Sequence, residues 1–411
     1  MRLRRSSGFG PAILKLFRRT TGPIGSPPSV GLMSRPHGVP VLRCGVIGLG
    51  LMGQTHVDVL RQHPYFALTA VASRNPTKRK VAEEVGSRWF KSAEEMIANR
   101  VVEVIVIATP HWQHAELAIA ALRAGLHVVC EKPLTVTVAQ ADAVLRAARG
   151  SKGILTAIFQ RRFEPVYQRA KALLTSGELG SIIRCEMVET FWRSNAYYRS
   201  SPWRATWKGE GGGVLLNQAP HVLDRYLWLC GMPKAVIAFC DTALHSIEVE
   251  DTASAVMRHE EGHHGYLHVN TTECPWLCRT LVACDRGRIT IQDGRMWVDR
   301  LTASLKTEIA TSDELFGDID SRREDMNGKF VDSDPELLAR MYENIALAIA
   351  GRQSLLIPAA EAADAVEFGN AILLSSATSR SVDLPIDRAA YEAFISAKTG
   401  CTLVSNCAGS A

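Results

Sequence analysis

The residue types with most chemical capacity stand in one short run, Gly211-Gly212-Gly213-Val214-Leu215-Leu216-Asn217-Gln218-Ala219-Pro220-His221-Val222-Leu223-Asp224. Asn217 and His221 are spaced i, i+4 and His221 and Asp224 i, i+3, so a helix here places all three near one face. An imidazole among polar neighbours can take up and return a proton near neutral pH. The competing reading makes His221 a core residue and Asn217 a helix N-cap, which would accommodate Pro220 in the first turn. The spacing leaves both open. A second reactive group, Lys132, sits in Cys130-Glu131-Lys132-Pro133 directly after an apolar run. Pro133 biases it to extended backbone, and the bond between them is one that can be cis. Ligands of open α/β sheets bind outside the carboxyl ends of strands, where Glu131 and Lys132 fall. Thr109-Pro110, with His111 and His114, ends the preceding apolar run in the same way. By position alone, Lys132 reads equally as a surface lysine.

A nucleotide site is the clearest partner for such groups. Gly48-Leu49-Gly50-Leu51-Met52-Gly53 is a G-x-G-x-x-G between a buried strand and a helix. Gly48 makes the tight turn, Gly50 lets backbone N–H groups near Met52 approach a pyrophosphate, and Gly53 lets helix and strand pack closely. The alternative is a glycine-rich strand-to-helix turn. Sites for NAD usually carry an acid about 20 residues further on for the ribose 2′-OH. Here Ser73 and Arg74 hold that place, and no acid occurs between Asp58 and Glu83. A hydroxyl and a guanidinium suit a 2′-phosphate, which favours NADP over NAD.

These groups need a scaffold of alternating elements. Apolar runs at Leu42–Gly48, Leu68–Ser73, Val101–Ala108 and Leu126–Cys130 alternate with helical stretches at Gln54–Gln62, Pro76–Val85 and His114–Ala124. That rhythm predicts a doubly wound parallel sheet over residues 41–160. A helix at Val166–Leu174, a strand at Ile182–Phe191 and a helix from Gly213 to Leu229 follow. Consecutive β-like runs between Ala235 and Val298, with short polar turns, predict a large, mostly antiparallel sheet. Residues 302–334 read as a long loop, and helices at Pro335–Ala350 and Ala359–Ser375 close a second α/β domain over 161–387. Residues 388–411 read as a tail.

Composition removes several function classes. The chain has 411 residues, 46% hydrophobic, and no apolar run near the ~18 residues a membrane span needs. Its net charge of +5 comes from residues 1–40, which carry seven basic residues and no acid. The remainder is slightly acidic, so no nucleic-acid footprint is expected. The leader segment reads as a disordered transit-like segment or an extension upstream of Met33. Its apolar stretch Ala12 to Phe17 is short for export, and the scattered cysteines fit a reducing, cytoplasmic setting. His259, His263, His264, His268, Cys274 and Cys278 invite a metal hypothesis. His264 and His268 on one strand would lie ~13 Å apart, too far for one tetrahedral ion, and no metal site is expected.

Together, the Gly48–Gly53 loop, Glu131-Lys132-Pro133 and the Gly-Gly-Gly…Asn-Gln-x-x-His-x-x-Asp run resemble the Gfo/Idh/MocA oxidoreductase family. Trp203-Arg204-Ala205-Thr206-Trp207, Val249-Glu250-Asp251-Thr252 and Val382-Asp383-Leu384-Pro385 add to the likeness, which spans roughly residues 42–387. The resemblance implies a Rossmann domain followed by an α/β domain whose sheet serves oligomerisation, as a dimer or tetramer. It implies NAD(P)-dependent oxidation or reduction of a hydroxyl or keto group on a sugar, sugar derivative or cyclitol. His221 would move the hydroxyl proton and Lys132 would hold the reacting oxygen and the nicotinamide ribose. Trp203, Arg204, Tyr197, Tyr198, Asn217 and Asp224 would face the substrate. Many members carry Asp where Asn217 stands; an amide cannot raise the histidine pKa as a carboxylate does, so Asp224 is expected to help. Pro220 is unusual and is expected to kink the helix. Relatives that hydrolyse glycosides through transient oxidation, or that sense dinucleotides without catalysis, set the alternative functions.

Overall fold

The computed structural model describes residues 36–326 and 333–400. The first six strands are β1 (Leu42–Ile47), β2 (Phe66–Ala72), β3 (Arg88–Phe90), β4 (Val104–Ile107), β5 (His127–Cys130) and β6 (Leu155–Ala157). They form an all-parallel sheet in the order β3-β2-β1-β4-β5-β6. Every residue of β4 is buried, as expected of a strand covered by helices on both faces. The strand order reverses between β1 and β4, and the Gly48 loop lies at that switch point. The short strands β3 and β6 and the helices Ala93–Ala98 and Val138–Arg149 fill gaps that the apolar pattern alone did not resolve.

The second sheet contains β7 (Ile182–Thr190), β8 (Ala235–Asp241), β9 (Thr252–Arg258), β10 (His264–Asn270), β11 (Cys278–Cys284), β12 (Gly287–Gln292), β13 (Arg295–Leu301), β14 (Ser321–Asp325) and β15 (Val382–Asp383). Its order is β14-β13-β12-β11-β7-β10-β9-β8-β15, antiparallel at every pairing except β7 with β10. One face is apolar and buried, with Ala253, Ala255 and Met257 of β9 beside Leu267 and Val269 of β10. The helices Pro165–Ser176, Pro220–Cys230 and Ala359–Thr378 contribute to the same core. The helix Asp334–Ile349 returns to the first sheet, where the Tyr342 hydroxyl meets His56 Nδ1 at 2.8 Å.

Four expectations need correction. Residues 211–219 form successive turns, so Asn217 and His221 do not share a helix. The helix begins at Pro220, whose missing N–H costs nothing at the first helical position, and the proline starts the helix instead of kinking it. Residues 302–334 hold a helix, Leu305–Thr311, capped by Ser304, and the edge strand β14; residues 327–332 lie outside the described part. The tail carries the helix Arg388–Thr399, capped by Asp387, with Tyr391 and Ile395 fully buried one turn apart. Residues 1–35 and 401–411, including the Met33 start-site expectation, lie outside the described residues.

Candidate active site

The glycine loop has the shape its sequence promised, with separate duties for its members. Gly50 precedes the first residue of the helix Leu51–Leu60, and a Cβ added there would meet no protein atom within 4 Å. A Cβ on Gly53 would stand 1.8 Å from the Gly48 carbonyl oxygen. Gly53 is therefore required by the protein's own packing, whereas Gly50 keeps backbone accessible over open space. Met52 is partly exposed beside it. Unpaired N–H groups at a helix N-terminus, reached over a glycine, fit a pyrophosphate. Ser73 follows the carboxyl end of β2 and accepts the Asn75 N–H, with Arg74 exposed next to it.

At the carboxyl ends of β4 and β5 the expected residues divide by role. Thr109 and Pro110 end β4, and the buried Thr109 hydroxyl has no protein partner. His114 is fully buried, with Nδ1 2.8 Å from the Pro133 carbonyl and Nε2 2.9 Å from that of Thr109. Its ring braces the two loops, with both nitrogens engaged by backbone carbonyls. Glu131 is also buried: one carboxylate oxygen takes His56 Nε2 at 2.8 Å, the other the Lys132 N–H at 3.0 Å. Burial would raise its pKa, but His56 and Lys132 hold it below the usual carboxylate value. Glu131 thus orients the backbone of Lys132. The Lys132–Pro133 bond is cis.

Lys132 Nζ donates to the Asn217 carbonyl oxygen at 2.5 Å, joining the two halves of the site. Burial lowers the ammonium pKa, with Glu131 opposing and Arg204 assisting. His221, in the first turn of its helix, stands edge-on to Phe159 at 5.8 Å. Its Nδ1 is buried without a partner. Burial first, then the charges of Lys132, Arg161 and Arg225, pushes the imidazole pKa well below its ordinary value. The shift favours the uncharged imidazole.

Around this pair lies a polar network. The Asn217 amide donates to Glu210, whose other oxygen accepts the Ala205 N–H at 2.8 Å. The Tyr197 hydroxyl lies 3.4 Å from Asn217 Oδ1, receives Gln218 Nε2 at 3.1 Å and receives an Arg204 guanidinium N–H at 2.6 Å. The Arg204 guanidinium also covers the Trp203 ring, 4.8 Å from its centroid. Burial pushes Glu210 up to about 7, against the hydrogen bond from Ala205 and the charge of Arg204. Arg204 Nε and Gln218 Oε1 are buried without protein partners. Glu250 holds the triple-glycine run: its carboxylate accepts the N–H groups of Gly213 and Leu215. A Cβ on Gly213 would lie 1.9 Å from the Glu250 carbonyl oxygen.

Two expected residues leave the site. Asp224 is fully buried and grips Arg162 with three hydrogen bonds of 2.6 to 3.1 Å, and His221 Nδ1 receives nothing from it. Its place one turn further along the helix directs the carboxylate at the core arginine. The Tyr198 hydroxyl is likewise committed, to Thr271 at 2.7 Å. Conversely, Glu210 and His56 carried no motif signal, and Gln218 stood in the Asn-Gln pair with no role of its own. Only their tertiary partners reveal them, although Glu210 adjoins the triple glycine and lay within reach of inspection.

The description "Oxidoreductase family, NAD-binding Rossmann fold" matches residues 42–159, and the GFO/IDH/MocA C-terminal domain matches residues 167–290. The chain is 32% identical over 214 residues to scyllo-inositol 2-dehydrogenase (NADP(+)) IolW of Bacillus subtilis (strain 168), covering 49% of this chain and 55% of that protein. It is 27% identical over 230 residues to the myo-inositol 2-dehydrogenase of Thermotoga maritima, covering 54% and 66%. The matched span is thus between about half and two thirds of these curated relatives. Among solved structures, the WlbA dehydrogenase of Bordetella pertussis, in complex with NADH and UDP-GlcNAcA, aligns at a TM-score of 0.71. It is 23% identical and covers 84% of this chain and 99% of that one, a likeness of fold. With both halves of the chain matched and the fold shared, the protein belongs to the Gfo/Idh/MocA family of oxidoreductases.

Proposed function

We propose that the protein moves a hydride between a nicotinamide dinucleotide and a secondary hydroxyl or keto group of a sugar, sugar derivative or cyclitol. The observation that carries this reading is the set of buried hydrogen-bonding atoms left unpartnered among three expected site residues and the neighbouring Gln218. His221 Nδ1, Arg204 Nε, Gln218 Oε1 and Thr109 Oγ1 all belong to it. Buried polar groups without partners are costly, and a polyhydroxylated ligand with a cofactor would satisfy them. The Gly50 cradle, Ser73, Arg74 and Thr109 would hold the dinucleotide, whose nicotinamide supplies the hydride chemistry when bound. Lys132, charged and aimed from the strand end, stabilises negative charge developing on the substrate oxygen. His221, whose uncharged form burial and nearby cations favour, takes the hydroxyl proton. Arg204, Trp203 and Tyr197 orient the polyol, and Glu210 fixes the Asn217 amide as a donor.

NADP is the favoured cofactor in this reading, because Ser73 and Arg74 replace the acid that would bind a ribose 2′-OH. A homo-oligomer belongs to it too. Ile237, Val256 and Tyr266 are cross-strand neighbours on the outward face of the second sheet, all exposed, with Phe239 beside them. No described helix is long and apolar enough to cross a membrane. The eight described cysteines are free, in keeping with the reducing compartment that belongs to the same reading.

The test is a panel of polyols, aldoses and nucleotide sugars followed at nicotinamide absorbance with each cofactor. Net reduced cofactor should accumulate with at least one member, and Lys132→Met or His221→Asn should remove turnover, the latter while leaving dinucleotide binding. Turnover that survives both substitutions overturns the assignment. Product release without net reduction would favour a transient-oxidation hydrolase. Arg74→Ala should raise the KM for NADP and leave that for NAD unchanged; equal effects on both refute the cofactor argument.

A further inference from the structure

The hairpin turn between β9 and β10 lies in the second sheet, and nothing in the proposed reaction uses it. It nonetheless carries two almost fully buried histidines, His259 and His263, at 2% and 7% exposure. The turn closes through the His259 N–H to the His263 carbonyl at 3.0 Å and the Gly262 N–H to the His259 carbonyl at 3.1 Å. Gly262 adopts a φ of +87°, which lets the chain reverse tightly enough to set the imidazoles face to face. Their centroids are 3.9 Å apart, with 16° between planes. His259 Nε2 meets the Tyr226 hydroxyl at 2.7 Å. Its Nδ1 and both nitrogens of His263 are buried with no hydrogen-bond partner. Three orphaned nitrogens at one turn call for a ligand, because buried polar groups without partners are costly.

We propose that this turn is a binding site for a zinc-class divalent cation, with His259, His263 and the Glu261 carboxylate as its protein ligands. One donor atom from each of the three lies within 4.8 Å of the others, and Glu261 Oε2 is 3.9 Å from His263 Nδ1. Two imidazoles, one carboxylate and one open position for water form a donor set that suits zinc. If the Nε2–H of His259 donates to Tyr226, its Nδ1 lone pair is left free, as in metal-bound histidines whose other ring nitrogen is held by a hydrogen bond. The stacked rings direct their in-plane lone pairs side by side. Binding therefore requires His263 to rotate about its side-chain bonds, away from Cys185, while the exposed Glu261 swings in. His264 and His268 share β10 and cannot close on one ion, and His268 is engaged by Ser254 and Asn270. The pair that matters lies across the turn. Tyr226 is on the same helix as His221, five residues along, so the cation would brace the far end of the helix that carries the proposed base.

The full chain, stripped with EDTA and dialysed, is titrated with Zn²⁺ by calorimetry and with Co²⁺ by visible absorption. One equivalent should bind, with the d–d bands of a low-coordinate cobalt site. His263→Asn and the exposed Glu261→Gln should each weaken affinity at least tenfold. Cys185 is a soft neighbour of His263 that lies outside the ligand set, so Cys185→Ser should leave affinity unchanged. No saturable binding, binding that survives His263→Asn and Glu261→Gln, or binding lost in Cys185→Ser would each overturn the proposal. Glu261 is exposed, so its variant keeps the test decisive even if a histidine variant fails to fold.

Discussion

Asp224→Asn separates a structural carboxylate from a substrate-binding one. In the structure Arg162 and Asp224 are 1% and 0% exposed at their side chains and share three hydrogen bonds. Removing one charge from such a pair leaves a buried guanidinium uncompensated, a cost of about 3–5 kcal/mol. Arg162 keeps Glu361 and the Leu356 carbonyl on its other side, and Glu361 is 44% exposed, which places the loss toward the lower end of that range. Burial pushes Asp224 up to about 6, against the charge of Arg162, so the experiment belongs at pH 8, where the carboxylate is ionised. Urea unfolding should show the loss as a lower midpoint. Steady-state kinetics on the same variant should show KM and kcat within about twofold of wild type, because Asp224 reaches neither His221 Nδ1 nor the polar network. Arg162→Met with Asp224→Leu should recover part of the stability, since an apolar pair leaves no charge stranded. A variant that is as stable as wild type but catalytically dead would refute the reasoning and restore Asp224 to the site.

The two loop glycines should fail differently. Gly53→Ala forces a Cβ onto the Gly48 carbonyl and should cost about 1–3 kcal/mol or more by thermal melt. Gly50→Ala meets no protein atom and should leave the melting temperature unchanged while weakening dinucleotide binding at least tenfold. Glu210 holds its proton up to about 7 when folded, against an ordinary value of 4.5. Its contribution is therefore fully present below pH 4.5 and lost as pH rises to 7, on the order of 3 kcal/mol at 1.36 per unit. Relative to wild type, Glu210→Gln should gain stability across that window and level off above it; a pH-independent difference would contradict the buried-acid reading. Val256→Asp on the outward sheet face should shift sedimentation toward monomer, and an unchanged assembly would place the interface elsewhere.

Motifs defined by local spacing survived the passage to three dimensions. Gly48 to Gly53, Glu131-Lys132 and the alternation of buried runs with amphipathic stretches are local, because backbone sterics and strand periodicity act over a few residues. Weaker signals failed where packing outweighed pattern. The helix Arg388–Thr399 buries only Tyr391 and Ile395, too sparse a stripe to stand out in a polar tail. The turns at 211–219 displaced an expected helix because Glu250, distant in sequence, takes the N–H groups of Gly213 and Leu215.

By itself, then, the sequence determined the class of the protein: a glycine loop after a buried strand, a lysine at a strand end and a histidine run in one chain. Which polar groups work together was decided only by the tertiary structure. Asp224 follows His221 by three residues yet faces Arg162, while Lys132, at the end of β5, finds the Asn217 carbonyl in the turns before the second-domain helix. The physical reason is the cost of burial. A charge in the interior goes to whichever partner can compensate it, and that partner is chosen by packing in space, not by distance along the chain.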